Sequence, residues 1–175
     1  MVAAGVKKVL PFISWTSFIL DRIPRMNAID RKILAELQQD ARISLTDLAA
    51  RVGLSLSPCH RRVRALEDSG VISGYRAEVD YAAVGLHFSA LVFVVLREGS
   101  AGHVRAFEAA LVDVQEIVQA QRLFGDPDYL LHVVCRDLEA FRALYDSTLS
   151  ALPSVQRLSS TLVMKRVLRD RPLPL

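Results

Sequence analysis

The sequence predicts an α+β chain. An N-terminal helix-turn-helix of winged type is joined by a strand linker to a ferredoxin-like βαββαβ unit. Three observations predict it. Apolar residues recur at helical spacing from Asn27 to Asp68, with a glycine between the second and third helical runs. Beyond about Ala83 the pattern changes to β-rich apolar runs. Those runs alternate with two amphipathic segments in the order β-α-β-β-α-β.

The chain has 175 residues, enough for one ordinary domain or two small ones. Half of it is apolar and 23% is charged, a globular composition. The two cysteines, Cys59 and Cys135, cannot form a disulfide framework, so a reducing cytoplasm is expected.

Residues 1–25 begin basic and carry an apolar run broken by Pro11. The run is too short to span a bilayer and lacks a small-residue cleavage site, so the segment is read as an extension and no membrane association is expected. Its four basic groups (Lys7, Lys8, Arg22, Arg25) and one acid (Asp21) account for the whole net charge of +3. Basic and acidic groups balance elsewhere, so only local clustering can point to a polyanion. Such a cluster exists: from Leu48 to Leu66 there is no acid, but there are Arg51, Arg61, Arg62, Arg64 and His60.

The first helix starts at Asn27, a capping residue with Asp30 three positions on, and buries Ile29, Ile33, Leu34 and Leu37. The stretch "SLTD" reads as a capping box, Ser44 with Asp47, opening a second helix over Leu45–Val52 that Gly53 ends. Ser57 as N-cap and Pro58 at the first helical position open the third helix, Ser57–Asp68, which Gly70 stops. Val71–Val79 reads as an extended wing or a strand linking two domains.

In the second half, Ser89–Arg97, Gln115–Phe124, Asp128–Asp137 and Val155–Leu168 read as strands. Residues 102–114 and 138–152 read as helices covering one sheet face. The other face keeps apolar residues and awaits a partner. The expected organisation is therefore an extension (1–25), a helix-turn-helix domain (26–72), a linker (73–86), a ferredoxin-like domain for dimerisation and ligand binding (87–170) and a tail (171–175).

On a helical wheel of the third helix, Cys59, Val63 and Leu66 share one face. Ser57, His60, Arg61 and Arg64 point the opposite way, with Arg62 on the flank. Cys59 is therefore a small core hydrophobe. A metal role would need it to converge with His60, and adjacent helical residues diverge by about 100°. Outward arginine forks at a helix start suit guanine edges and phosphates. Candidate DNA contacts are Ser44, Ser55, Ser57, Pro58, His60, Arg61, Arg62 and Arg64.

The stretch from Ile29 to Tyr75, "IDRKILAELQQDARISLTDLAARVGLSLSPCHRRVRALEDSGVISGY", resembles the DNA-binding domain of the leucine-responsive regulator (Lrp)/AsnC family. "LFGDPDYLLHVV" and "LPSVQRLSSTLVMKRV" resemble that family's effector domain, in the same order and spacing. The resemblance implies a bacterial or archaeal transcription regulator that forms homodimers, tetramers or octamers. It implies an amino-acid effector bound between dimers. It also implies an effector site at Gly125, Asp126, Asp128 and Tyr129, with Ser159, Ser160 and Thr161 opposite. Pro127 departs from the family's aromatic or acidic residue. "GDPD" is equally readable as a plain hairpin turn, with Asp128 either holding a ligand ammonium or satisfying turn amides.

No glycine-rich phosphate loop or nucleophile elbow occurs, and His60, His87, His103 and His132 are scattered, so neither an enzyme nor a cofactor or metal site is expected. The expected function is sequence-specific binding of double-stranded DNA. The rival expectation is a small-molecule sensor that acts through protein partners without DNA.

Overall fold

The computed structural model describes residues 26–168 and 171–175; the 1–25 extension lies outside the described residues. Among the described residues two compact units form, residues 26–76 with 171–175, and residues 77–168.

In the first unit, α1 (Ala28–Gln39), α2 (Leu45–Val52) and α3 (Leu56–Asp68) enclose a small core. It is built from Ile33, Leu34, Leu48, Ala49, Val52, Cys59, Val63 and Leu66, all buried. Asn27 caps α1 in a full capping box with Asp30. The Ser44 box predicted for α2 is only half made. Ser44 Oγ accepts from the Asp47 amide at 3.1 Å, but the Asp47 carboxylate takes the Ser44 hydroxyl at 2.6 Å and leaves the backbone N–H of Ser44 alone.

Gly53 ends α2 with φ 73°, in the left-handed region that costs glycine little. The Leu54 amide then reaches back to the Ala49 carbonyl (2.9 Å) and the Gly53 amide to Ala50 (3.3 Å), a Schellman closure. This tight reversal sets α3 across α2.

The start of α3 corrects the sequence reading. Its N-cap is Ser55, not Ser57, and Pro58 occupies the third helical position instead of the first. A proline is tolerated there because first-turn amides have no intrahelical partner.

Ion pairs tie the bundle together: Arg51 to Glu36 at 2.9 Å and Arg62 to Asp30 at 3.0 Å. The tail belongs to this unit rather than standing apart. The Gln38 side-chain amide grips the backbone of Leu173, accepting its N–H at 2.6 Å and donating to its C=O at 3.5 Å.

The predicted linker strand does not form. Residues 73–80 have no regular structure, and a short 3-10 turn follows at Ala82–Val84. An extended segment becomes a strand only where a second one pairs with it, and none of the described residues does so.

The second unit is a four-stranded antiparallel sheet, order β2-β3-β1-β4 in chain numbering. Its elements are β1 (Phe88–Leu96), α4 (Ala101–Leu111), β2 (Ile117–Arg122), β3 (Tyr129–Cys135), α5 (Leu138–Ser147) and β4 (Val155–Leu162). This is the split βαββαβ arrangement. The last strand stops at Leu162, six residues short of the prediction. The second predicted helix ends at Ser147 and continues as a 3-10 turn, Leu149–Ala151.

Alternation along β1 decides the two faces. Ala90, Val92, Val94 and Leu96 are buried beneath the helices, where they meet Phe107, Phe141, Leu131, Val133 and Leu149. Leu91, Phe93 and Val95 point the other way and are only half-buried. Cys135 is buried in the helix-side core.

Candidate nucleic-acid interface and effector domain

The division predicted for the third helix is present. Cys59, Val63 and Leu66 are buried, and Cys59 has no exposed surface at all. Burial pushes its thiol up, so it acts as a packing group. Ser55, Ser57, His60, Arg61 and Arg64 are exposed on the opposite side, and Pro58 is half-buried. Among the described residues, no carboxylate lies within 4.0 Å of Arg61 or Arg64. Their guanidinium groups are open to an incoming anion.

Arg62 is different. It is half-buried and its fork is occupied by Asp30 of α1, so its first duty is to hold α3 on the bundle. Ser44 is exposed at the start of α2, but its hydroxyl is committed to Asp47.

The beginning of α3 is chemically unlike the other two. An N-cap side chain accepts from the amide of the second or third helical residue. In α1 and α2 that donor is Asp30 or Asp47, an acid in the first turn. In α3 the third residue is Pro58, which has no N–H. The Ser55 hydroxyl makes no capping bond, and the first turn holds no acid. The partial positive charge of this helix end is therefore not neutralised by its own side chains. A helix start of this kind is suited to a phosphate oxygen.

Among the described residues, the effector residues predicted from the family resemblance are spread over the β2–β3 turn, the helix side of β3 and the edge strand β4. In the β2–β3 turn, Asp128 is used structurally. Its carboxylate accepts the Leu96 amide at 2.8 Å, its own amide donates to the Val94 carbonyl at 2.9 Å, and its carbonyl accepts from Leu123 at 2.7 Å. Of the two readings left open for this carboxylate, the geometry matches the satisfaction of backbone amides. Gly125 has φ 130°, a glycine conformation, beside an exposed Asp126. Asp126 meets Arg157 of β4 at 3.4 Å, with both side chains mostly exposed.

Tyr129 turns away from the turn's surface. It is 2% exposed on the helix side, its ring tilted against Phe107 with centroids 4.7 Å apart, and its hydroxyl donates to Glu108 at 2.8 Å. Burial and the Glu108 carboxylate push its phenol up to about 12. Ser159, Ser160 and Thr161 are exposed on β4, in register with Phe93, Val92 and Leu91, so β1 separates them from β3. Asp126, through Arg157, links the turn to β4.

Sequence reasoning overlooked Arg157, Glu108 and Arg122. Glu108, Arg122 and Tyr129 line a cleft of about 350 Å³ between α4 and β2, together with Leu111, Val112, Ile117 and Val118. The alternation along β2 carried the signal for Arg122, which is registered with Tyr129 and so shares its face.

Burial also selects a polar cluster on the sheet's second face. His132, 8% exposed, shares Nε2 contacts with Ser89 Oγ (2.7 Å) and Arg166 (3.2 Å), and Arg166 lies over the Tyr81 ring at 5.1 Å. Burial first, and the neighbouring guanidinium second, push the imidazole below its ordinary value.

Among the described residues no His/Cys/Asp/Glu group could hold a metal ion, and no helix is long and apolar enough to cross a membrane.

Residues 26–73 match the winged helix-turn-helix DNA-binding family, and residues 89–173 match the Lrp/AsnC ligand binding domain. The chain is 39% identical over 148 residues to the Bkd operon transcriptional regulator of Pseudomonas aeruginosa, covering 84% of this chain and 97% of that protein. It is 38% identical over 148 residues to the leucine-responsive regulatory protein of Escherichia coli, covering 85% and 90%. Its fold is similar to a Neisseria meningitidis transcriptional regulator solved as an L-Met complex, with a TM-score of 0.80, 33% identity, and 85% and 96% of the two chains covered. An AsnC family regulator from Agrobacterium tumefaciens gives 0.79 at 34% identity, with 85% and 97% covered. An exposed arginine face on a helix-turn-helix, followed by a βαββαβ unit, thus coincides with matches along nearly the whole described chain, and the protein belongs to the Lrp/AsnC family of transcriptional regulators.

Proposed function

We propose that this regulator binds specific double-stranded DNA through α3, as a homodimer or a larger assembly up to an octamer, and that an amino acid modulates it. It works in the cytoplasm, where its DNA is. The observation that carries the reading is the division of α3: Cys59, Val63 and Leu66 are packed inward, and Arg61 and Arg64 are exposed and unpaired among the described residues.

Arg61 and Arg64 supply forks for base edges and phosphates, Ser57 and His60 the shorter contacts, and Ser55 with the open helix start a phosphate seat. Arg62 contributes by fixing the helix. The half-buried Leu91, Phe93, Val95 and Leu130 support pairing of a second copy on the open sheet face. Two α3 helices in a dimer would read half-sites about 34 Å apart, or a multiple of that. The L-Met complex of the Neisseria relative supports an amino-acid effector.

A mobility-shift titration on DNA from upstream of the protein's own gene tests this. Retarded complexes should form, and their affinity should fall steeply with salt as counterions are released. The Arg61→Ala/Arg64→Ala double variant should lose the complex while retaining its thermal transition. Unchanged retardation would remove α3 as the reading element.

A further inference from the structure

Phe124 has no place in the core of its own chain. It lies two residues past the end of β2, at the start of the β2–β3 turn, and its side chain is fully exposed. Tyr75 is also exposed, but it at least donates its hydroxyl to Glu67 at 3.0 Å. A phenyl ring held wholly in water gains stability only by being covered, and nothing in its own chain covers it. Two residues on, Asp126 meets Arg157 of β4 at 3.4 Å, with both side chains mostly exposed. The turn therefore presents an apolar knob together with one anion and one cation.

The cleft between α4 and β2 has the complementary character. β2 is an edge strand, so the cleft is open on its outer side. Its wall is apolar: Leu111 is buried, Ile117 is half-buried, and Val112 and Val118 are exposed. A volume of about 350 Å³ is ample for one phenyl ring. Glu108 and Arg122 line the same cleft and are exposed. Among the described residues no carboxylate lies within 4.0 Å of Arg122, and Glu108 accepts only the Tyr129 hydroxyl. Phe124 is not part of this cleft in its own chain.

We infer that the cleft seats Phe124 of a second copy, against Leu111, Val112, Ile117 and Val118, with the second copy's Asp126 facing Arg122 and its Arg157 facing Glu108. A buried aromatic anchor carries most of the energy of such a contact, and the charges around it set orientation. Each chain holds both knob and cleft, so the contact repeats from copy to copy. The cleft is on the helix side of the sheet, whereas Leu91, Phe93 and Val95 point to the other side. The knob contact is therefore separate from pairing on the open sheet face, and it joins pairs into a larger assembly. The inference rests on the proposed assembly beyond a dimer and names the surface that builds it.

Sedimentation velocity of the full chain over a range of concentrations, without DNA or added small molecules, tests it. The wild type should form species larger than a dimer. Phe124→Ala, which removes the knob, and Val112→Glu, which puts a charge in the cleft, should each stop at the dimer, with association beyond it weakened at least about 10-fold. Both side chains are exposed, so each variant should keep the wild-type far-UV circular dichroism. An equimolar mixture of the two variants should regain larger species, because one keeps the cleft and the other the knob. Arg122→Glu should weaken assembly, and adding Asp126→Arg to the same chain should recover it.

If Phe124→Ala assembles like the wild type, or the mixture stays dimeric, the knob assignment is overturned and assembly beyond the dimer survives through another surface. A wild type that stays dimeric at every concentration would end both, and would leave pairing on the open sheet face standing.

Discussion

The exposed side of α3 and the turn from Leu123 to Asp128 both carry polar groups that the family resemblance marks as functional, yet they spend those groups differently. On α3, Arg61 and Arg64 have no ion-pair partner among the described residues, and the Ser55 hydroxyl caps nothing. In the turn, Asp128 satisfies Leu96 and is bonded at its own amide and carbonyl as well. One surface leaves its polar groups without partners among the described residues. The other is built to close a hairpin against β1. A carboxylate beside a glycine is thus no evidence for a ligand until its lone pairs have been accounted for.

Substitutions at the two surfaces should move different observables. The largest effect is expected from the Arg61→Ala/Arg64→Ala double variant. At about 1–3 kcal/mol for each base-reading arginine, operator affinity measured by fluorescence anisotropy should fall by roughly two to four orders of magnitude, with the denaturant midpoint unchanged. Asp128→Ala should do the reverse. It leaves the buried Leu96 amide unsatisfied and should cost about 1–3 kcal/mol in urea unfolding, and Asp128→Asn, which keeps an acceptor, should recover most of that.

Next comes a contrast of caps. Ser44→Ala removes a made bond and should cost about 1 kcal/mol, whereas Ser55→Ala should leave stability nearly unchanged and weaken DNA binding. The smallest effect belongs to Arg157→Ala. Its pair with Asp126 is mostly exposed at both ends, so a stability change within about 0.5 kcal/mol is expected from thermal melts.

The sheet's second face has its own readout. The His132 imidazole sits below its ordinary value when folded, so between that value and about 6.5 the unfolded chain binds more protons than the folded one. Stability rises with pH through this window, and acidification below about 6.5 should therefore destabilise the sheet unit. The charged group facing His132 is Arg166, with Ser89 and the Tyr81 ring completing its surroundings. Urea midpoints measured from pH 8 to 5 should fall for the wild type and stay flatter for His132→Gln.

The α3 face was legible because a helix converts spacing into direction. Cys59, Val63 and Leu66 recur at four and three residues, and any fold using that stripe must turn Arg61 and Arg64 outward. The split βαββαβ order was legible for a related reason, since strand and helix periods differ. What sequence could not show were partners chosen across long separations. Arg62 meets Asp30 thirty-two residues away, and Asp128 meets Leu96 across the same interval. Such pairs depend on which elements become neighbours, and no local pattern encodes that. The linker strand failed similarly: extended propensity at Val71–Val79 says nothing about where a pairing edge would be. Tyr129 lies buried on the helix side because its strand position, not its turn, decides its face.

Pro58 has a consequence for anyone engineering this regulator. Replacing it with alanine restores an amide three residues after Ser55, and the serine could then serve its own helix. The free protein would gain stability and its hold on DNA would loosen, so screening for thermostability alone would select against the regulator's purpose. A proline that resembles a defect in helix design here leaves one hydroxyl without a bond to its own helix, and the proposed function gives that hydroxyl a phosphate to meet.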